Sequence, residues 1–334
     1  MKLRVGIIGL GYWGPNYVRN FLKNGNVEIA WLCDLSDSAL KNMKNLYPQL
    51  RITKNYMEIL QDNSVGCVAI ATPPQIHYKI AKDALMANKH VLIAKPLATN
   101  AKDANELLTI AKKKKLLLKG DLTFLYSSGV MTIKDTIKKG SIGVPLYYDS
   151  TRSNLGLIQK DVNVIWDLAP HDLSILNYCF GFKPKQIFAI ASKHYRHSIG
   201  YEIAHITITY PNNFIAHIHL SWLSPVKLRT IFIGGTKKMI YFNDVEPDEK
   251  IRIYDKHIKI PSEKVTPFKP IYRTGDVLIP KISNEEGLFL EIQEFIDQIL
   301  TNSFDYQNAN LNLKIVEILE ACDKSIKSGH AIDL

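Results

Sequence analysis

Lys2-Leu3-Arg4-Val5-Gly6-Ile7-Ile8-Gly9-Leu10-Gly11-Tyr12-Trp13-Gly14 is the stretch that decides the fold. Gly9, Gly11 and Gly14 are spaced G-x-G-x-x-G, after an apolar run of strand length and before a helix-like segment at 16–22. That context is needed, because three spaced glycines alone say little. The pattern asks for a tight turn at Gly9, close approach of backbone to a pyrophosphate at Gly11, and close helix–strand packing at Gly14. The following helix N-terminus offers free N–H groups and the positive dipole end to phosphates. A second strand, Val27–Cys33, ends at Asp34. An acidic side chain at this distance meets the adenosine ribose, accepting from its 2′-OH and repelling a 2′-phosphate. The motif therefore predicts a dinucleotide site that favours NAD over NADP. The alternative is an ordinary βαβ turn with an Asp at a strand end.

The 334 residues are 46% hydrophobic and 22% charged, ordinary values for a globular chain long enough for two domains. Lys and Arg number 42 against 32 Asp and Glu, a formal charge of +10. That surplus reads either as a lysine-rich surface or as a field steering an anionic ligand such as a nucleotide. The run Lys112-Lys113-Lys114-Lys115 closes a predicted helix, where cations complement the dipole. It lacks the interleaved aromatics of a nucleic-acid surface. Cys33, Cys67, Cys179 and Cys322 lie far apart with no C-x-x-C, and read as reduced core thiols of a cytoplasmic protein. No apolar run reaches membrane-spanning length. The run after Lys2 and Arg4 is broken by glycines and has no small-x-small cleavage site.

Residues 1–120 alternate strand and helix patterns in the doubly wound style. A strand at 64–70 leads to Ala71-Thr72-Pro73-Pro74 and a helix at 76–87. The strand His90–Ile93 leads to Ala94-Lys95-Pro96 and a helix at 101–113, with Asn100 and Asp103 at capping-box spacing. Ligands in such sheets sit beyond the carboxyl ends of the strands, which puts Thr72, Pro73 and Lys95 on the rim of the glycine loop. Residues 121–334 read instead as an α+β domain with a mainly antiparallel sheet. Alternating strands at 202–210 and 214–222 are joined by Pro211-Asn212-Asn213 as a hairpin. Helices are predicted at 133–138, 168–179, 285–300 and 311–328. The stretch 262–281, rich in Pro, Lys and Gly, reads as irregular.

Three places carry candidate chemistry. In Asp167-Leu-Ala-Pro170-His171-Asp172 the apolar periodicity of Leu168, Ile175, Leu176 and Cys179 opens an amphipathic helix. Pro170 then belongs in its first turn. His171 would sit near the helix N-terminus, which favours a neutral imidazole suited to act as a base, with Asp167 orienting the ring. The plain readings are Asp167 as an N-cap and His171 as a surface histidine. Lys95, between a strand end and Pro96, can hydrogen-bond or deprotonate a substrate hydroxyl; its plain reading is a solvated lysine flanking a helix. His217 and His219 share a strand face, but no third ligand is suggested, so no metal is expected. Arg152 and Asn154 end a strand before the Asp167 segment, and Arg152 can pair with a carboxylate or phosphate.

Taken together, the glycine loop with Asp34, Ala71-Thr72-Pro73-Pro74 with His77, Ala94-Lys95-Pro96, and Asp167 with His171-Asp172 resemble the Gfo/Idh/MocA family of glucose–fructose oxidoreductase and inositol dehydrogenase, along essentially the whole chain. The resemblance implies a Rossmann domain (1–120) and an α/β domain with an open sheet for substrate and oligomerisation (121–334). It implies reversible hydride transfer between NAD(P) and a ring hydroxyl of a sugar or cyclitol. The family's Glu-Lys-Pro motif maps onto Ala94, Lys95 and Pro96, so its glutamate is absent here. The catalytic histidine maps onto His171 and its preceding aspartate onto Asp167. Arg152-Ser-Asn154-Leu-Gly156, Asp161-Val-Asn163-Val-Ile-Trp166-Asp167, Ser221-Trp222-Leu-Ser-Pro225 and Tyr272-Arg-Thr-Gly275-Asp276 are similar to nucleotide-sugar dehydrogenases acting at C3 of UDP-N-acetylglucosamine or its uronic acid. The expected cofactor contacts are Gly9, Gly11, Tyr12, Trp13, Gly14, Asp34, Thr72, Pro73, His77 and Lys95. Arg152, Asn154, Asn163 and His171 are expected at the substrate, and Lys95, His171 and Asp167 in catalysis. The expected activity is NAD-dependent oxidation of a UDP-sugar to a 3-keto sugar for surface-glycan synthesis. Its rivals are a 3-ketoreductase, a non-catalytic NAD-binding sensor, and, from charge alone, a nucleic-acid module. A homodimer or homotetramer is expected, because one face of the hairpin strands carries His and Thr with almost no charge, as interfaces do.

Overall fold

The computed structural model describes residues 2–156, 158–159, 161–196, 200–259 and 270–334. The chain begins β1 (Leu3–Ile8), α1 (Gly14–Leu22), β2 (Val27–Cys33), α2 (Asp37–Leu46), β3 (Arg51–Thr53), α3 (Tyr56–Gln61), β4 (Cys67–Ile70), α4 (His77–Met86), β5 (His90–Ile93), α5 (Ala101–Lys114) and β6 (Leu118–Gly120). The strands form a parallel sheet in the order β3-β2-β1-β4-β5-β6. Val5, Ile7, Val68, Ile70, Leu92 and Ile93 are fully buried, as strands covered on both faces must be. Asn100 caps α5, accepting from the Asp103 N–H at 2.8 Å. Lys114, from the lysine run, bonds the Leu85 and Met86 carbonyls at the end of α4.

The chain continues through α6 (Ser128–Lys138), β7 (Pro145–Leu155), α7 (Val164–Phe180), β8 (Gln186–Ser192), β9 (Ile203–Thr209), β10 (Ile215–Ser221), β11 (Leu223–Gly235), β12 (Met239–Asn243), β13 (Ile251–Lys259) and β14 (Ile271–Leu278). It ends with α8 (Gly287–Leu300), α9 (Gln307–Ser328) and β15 (Ile332–Asp333). Among the described residues, nine strands form one sheet, β14-β13-β12-β11-β7-β10-β9-β8-β15. All its pairs are antiparallel except β7 with β10. The β9–β10 hairpin turns through Asn212 and Asn213 at φ of 62° and 59°, a region asparagine tolerates.

One expectation needs correcting. Within the stretch read as irregular, residues 260–269 lie outside those described, but Ile271–Leu278 is strand β14 on β13. Gly275 sits beside a register shift, and a Cβ there would lie 2.5 Å from Asp255 Oδ2. The glycine admits the bulge without ending the strand.

Two compact units result. One comprises 1–126 with 285–317, the other 127–284 with 318–334. A single cut near residue 120 does not describe them, because α8 and the start of α9 return to the first unit. The four cysteines are buried and unpaired, and burial pushes the Cys33 and Cys179 thiols up to about 12. No helix among the described residues is long and apolar enough to cross a membrane.

Candidate functional site

In the first unit the glycine loop has the geometry its spacing predicts. Gly9 takes φ +95°, and a Cβ there would lie 2.6 Å from the Ala71 carbonyl. A Cβ on Gly14 would lie 2.1 Å from the Gly9 oxygen. Gly11 differs, since a Cβ there would meet no atom within 4 Å. Its missing side chain serves no packing within the protein and leaves the approach to the backbone open. α1 starts without any side-chain cap. Pro15 in its first turn has no N–H and the Asn16 N–H bonds the Trp13 carbonyl at 2.9 Å, so what the helix start offers an anion is the Gly14 N–H and the positive dipole end. Asp34 bridges the loop and the next turn, accepting from Leu10 N at 2.6 Å and Ser36 N at 2.8 Å. Each oxygen keeps a second lone pair for a ribose hydroxyl.

On the same rim, Thr72 and Pro73 follow β4, and Lys95 follows β5 ahead of a cis bond to Pro96. His77 is 1% exposed and lies with Nε2 2.7 Å from the Thr72 oxygen and Nδ1 2.8 Å from the Pro96 oxygen. It therefore pins the two rim loops to each other. The Thr72 hydroxyl is buried with no hydrogen-bond partner among the described residues. An orphaned hydroxyl, an uncapped helix start and the clear space at Gly11 fit a dinucleotide. Tyr12 is exposed, while the Trp13 indole donates to Asp121 at 2.6 Å.

Asp121 and Glu291 were not singled out from the sequence, although Asp121 directly follows β6. Asp121 also accepts from Tyr17, and Glu291 of α8, fully buried, accepts from the Leu122 N–H at 2.9 Å. Burial first, then the Asp121 charge, raises the Glu291 carboxyl well above its ordinary range. The folded state thus holds a proton that the unfolded chain releases above about pH 4.5, so stability falls as pH rises from there. The slope is at most about 1.4 kcal/mol per pH unit. Glu291→Gln keeps the acceptor and a donor without the charge. We expect its melting temperature to fall less than that of the unmutated protein between about pH 5 and about pH 8.

In the second unit α7 starts six residues before Pro170, which corrects the sequence reading. Asn163 is its cap, accepting from Ile165 N at 3.0 Å and Trp166 N at 3.1 Å. Pro170 is therefore the seventh residue of the helix and His171 the eighth. A Pro there leaves the Trp166 carbonyl without its helical donor. His171 is about two turns from the N-terminus, beyond the reach of the dipole, so the expected dipole effect on its ring does not apply. Asp167 lies in the first turn, and its carboxylate accepts from the Trp222 indole at 3.2 Å.

An open cleft is lined by Arg152, Asn154, Leu168 and His171 with Lys227 and Arg229 of β11. The structure thus brings three of the four expected substrate residues together; Asn163 and Asp167 are not among those lining the cleft. Arg152 is 5% exposed and bonded to Asp172 through Nε at 2.7 Å. Arg229 pairs with Asp244 at 3.1 Å. Lys227 and Arg229 escaped the sequence reading, because nothing in the strand's period points them at this cleft.

A family profile described as an oxidoreductase family with an NAD-binding Rossmann fold (GFO_IDH_MocA) matches residues 3–120. A second, described as the GFO/IDH/MocA C-terminal domain, matches 130–241. The first unit thus contains an NAD-binding Rossmann domain. Myo-inositol 2-dehydrogenase of Thermotoga maritima is 24% identical over 57% of this chain and 58% of that protein. The chain spans about half to two thirds of the length of the curated relatives it matches. GenD2 from gentamicin A biosynthesis, in complex with NAD, shares the fold with a TM-score of 0.85 at 18% identity, over 100% of this chain and 96% of that one. UDP-N-acetylglucosamine 3-dehydrogenase GnnA from Acidithiobacillus ferrooxidans does so with a TM-score of 0.80 at 18% identity, over 98% and 99%.

Proposed function

The chain belongs to the Gfo/Idh/MocA oxidoreductase family, and from that premise we propose that it oxidises a secondary hydroxyl, at C3, of a UDP-sugar to a ketone. The observation that carries this reading is the cleft in which His171 meets Arg152 and Asn154 with no carboxylate among the described lining residues. Bound NAD supplies the hydride acceptor. His171 takes the hydroxyl proton, Asp167 supports it one helical turn away, and Lys95 is a second polar group in the reaction. Likeness to a UDP-N-acetylglucosamine 3-dehydrogenase supports the substrate class through fold alone. A second reading, an uncharged cyclitol as substrate, is favoured by the myo-inositol 2-dehydrogenase relative. The test is NADH formation from NAD⁺ with a panel of UDP- and dTDP-sugars beside myo-inositol. Turnover of myo-inositol alone would refute the sugar-nucleotide reading.

The same reading makes the protein a cytoplasmic homodimer or homotetramer, with a second copy on the outer face of the nine-stranded sheet. One row across that face runs Phe188, Thr207, His217, Asp149, Phe232, Tyr241. The next runs Ile190, His205, His219, Thr151, Thr230. Phe188, Ile190 and Phe232 stay 38%, 53% and 48% exposed on one chain, an apolar surface with a single carboxylate in these rows. The His205 and His219 rings stack at 4.4 Å. Burial and the His205 charge lower the pKa of His219. Light scattering at micromolar concentration should give a multiple of the chain mass. His219→Glu should raise the dissociation constant by about a hundredfold, because it sets like charges against each other. A monomeric mass for the unmutated protein would refute the assembly.

A further inference from the structure

Strand β11 carries an irregularity that the oxidation itself does not use. Its pairing with β7 runs Thr230 to Thr151, Arg229 to Arg152 and Leu228 to Ser153, then jumps to Leu223 opposite Leu155. Ser224, Pro225, Val226 and Lys227 therefore face Asn154 alone. A proline fits such a bulge, where no ladder donor is needed. The Ser224 hydroxyl braces it, donating to the Val226 carbonyl at 2.8 Å. A bulge bends its strand and re-aims the side chains that leave it. Here the residues leaving it are Lys227 and Leu228, and both line the cleft that holds His171.

The other two cationic side chains of this cleft are matched within the protein, Arg152 by Asp172 and Arg229 by Asp244. Among the described residues Lys227 is exposed and makes no ion pair or hydrogen bond. Among the described residues no Asp or Glu lines the cleft to oppose it. A ring hydroxyl needs no such surplus charge, whereas an oxyanion does, and an ammonium on a flexible stem serves as its point charge. We propose that Lys227 binds an oxyanion of the substrate and so selects for anionic sugars. This rests on the sugar-nucleotide reading. The oxyanion is the carboxylate of a uronic acid or a phosphate of the nucleotide, two sources of one chemistry.

The full chain is tested as Lys227→Gln and Lys227→Arg. KM and kcat are read with UDP-N-acetylglucosamine and UDP-N-acetylglucosaminuronate, and the dissociation constants of UDP and free glucuronate by calorimetry. Losing one charge-assisted hydrogen bond should raise KM about tenfold to a hundredfold in Lys227→Gln, with kcat little changed and Lys227→Arg near the unmutated value. A loss confined to the uronate and glucuronate assigns the carboxylate; an equal loss on both sugars and on UDP assigns the phosphate. Unchanged KM and binding in Lys227→Gln would overturn the proposal while leaving the proposed function standing. Binding of UDP or glucuronate that depends on Lys227, without turnover of any sugar nucleotide, would do the reverse. An unmutated protein that binds neither anion and turns over neither sugar overturns both.

Discussion

His171→Ala is expected to lower kcat on the sugar substrate by about 10²–10⁴-fold, the range for a positioned acid–base group. The dissociation constant for NAD should stay unchanged, because the groups that fit the dinucleotide belong to the first unit. His171 lies mid-helix in α7 and lines the cleft that also holds Arg152 and Asn154. Its helix neighbour Asp167 is held by the indole of Trp222, itself 2% exposed, so the carboxylate has a fixed position from which to support the ring. Asp167→Asn keeps an acceptor for the indole and removes the charge. It should cost less than His171→Ala and shift the acid limb of the pH–rate profile. Lys95→Ala, measured on its own, should fall in the same range as His171→Ala. Full turnover in both alanine variants, measured on a substrate that the unmutated protein oxidises, would refute these roles.

The first unit is legible because its rules are local. A glycine that must take positive φ, a glycine that must clear a carbonyl, and an acid at a strand end each sit within one βαβ segment. The start of α7 shows where a local rule misleads. Pro170 signals a first turn, yet Asn163 ahead of Val164-Ile165-Trp166 is the stronger start, since its side chain satisfies two orphan N–H groups. Pro170 then costs one mid-helix bond that buried packing outweighs, with Ile165, Ala169 and Leu173 almost wholly buried. The long-range pairs were not legible. Asp121 and Glu291 are brought together only by the return of α8 to the first unit, and a bulge such as that of β11 follows no period. Such contacts depend on register and topology, which a single sequence does not print.

Arg152→Met is expected to destabilise the second unit by about 3–5 kcal/mol, the cost of stranding one partner of a buried ion pair. The side chains of Arg152 and Asp172 are 7% and 2% exposed, and their Nε–Oδ2 bond is 2.7 Å. A second guanidinium nitrogen reaches the other carboxylate oxygen at 3.4 Å. Removing the arginine leaves a carboxylate that water cannot reach, so that desolvation is no longer offset by a counter-charge. For a unit of this size the melting temperature should drop by roughly 6–20 °C. Arg152→Met/Asp172→Leu removes both charges and should regain most of that loss, as apolar replacements of buried pairs do. The double variant also separates two roles of Arg152. If the guanidinium only holds β7 against α7, a refolded double variant keeps its KM for the sugar substrate. If Arg152 also pairs with the substrate, as its place in the cleft allows, KM rises although stability has returned. Equal melting of Arg152→Met and the unmutated protein would refute the pair's part in stability, because no solvated route to the stranded Asp172, 1% exposed, remains to rescue it.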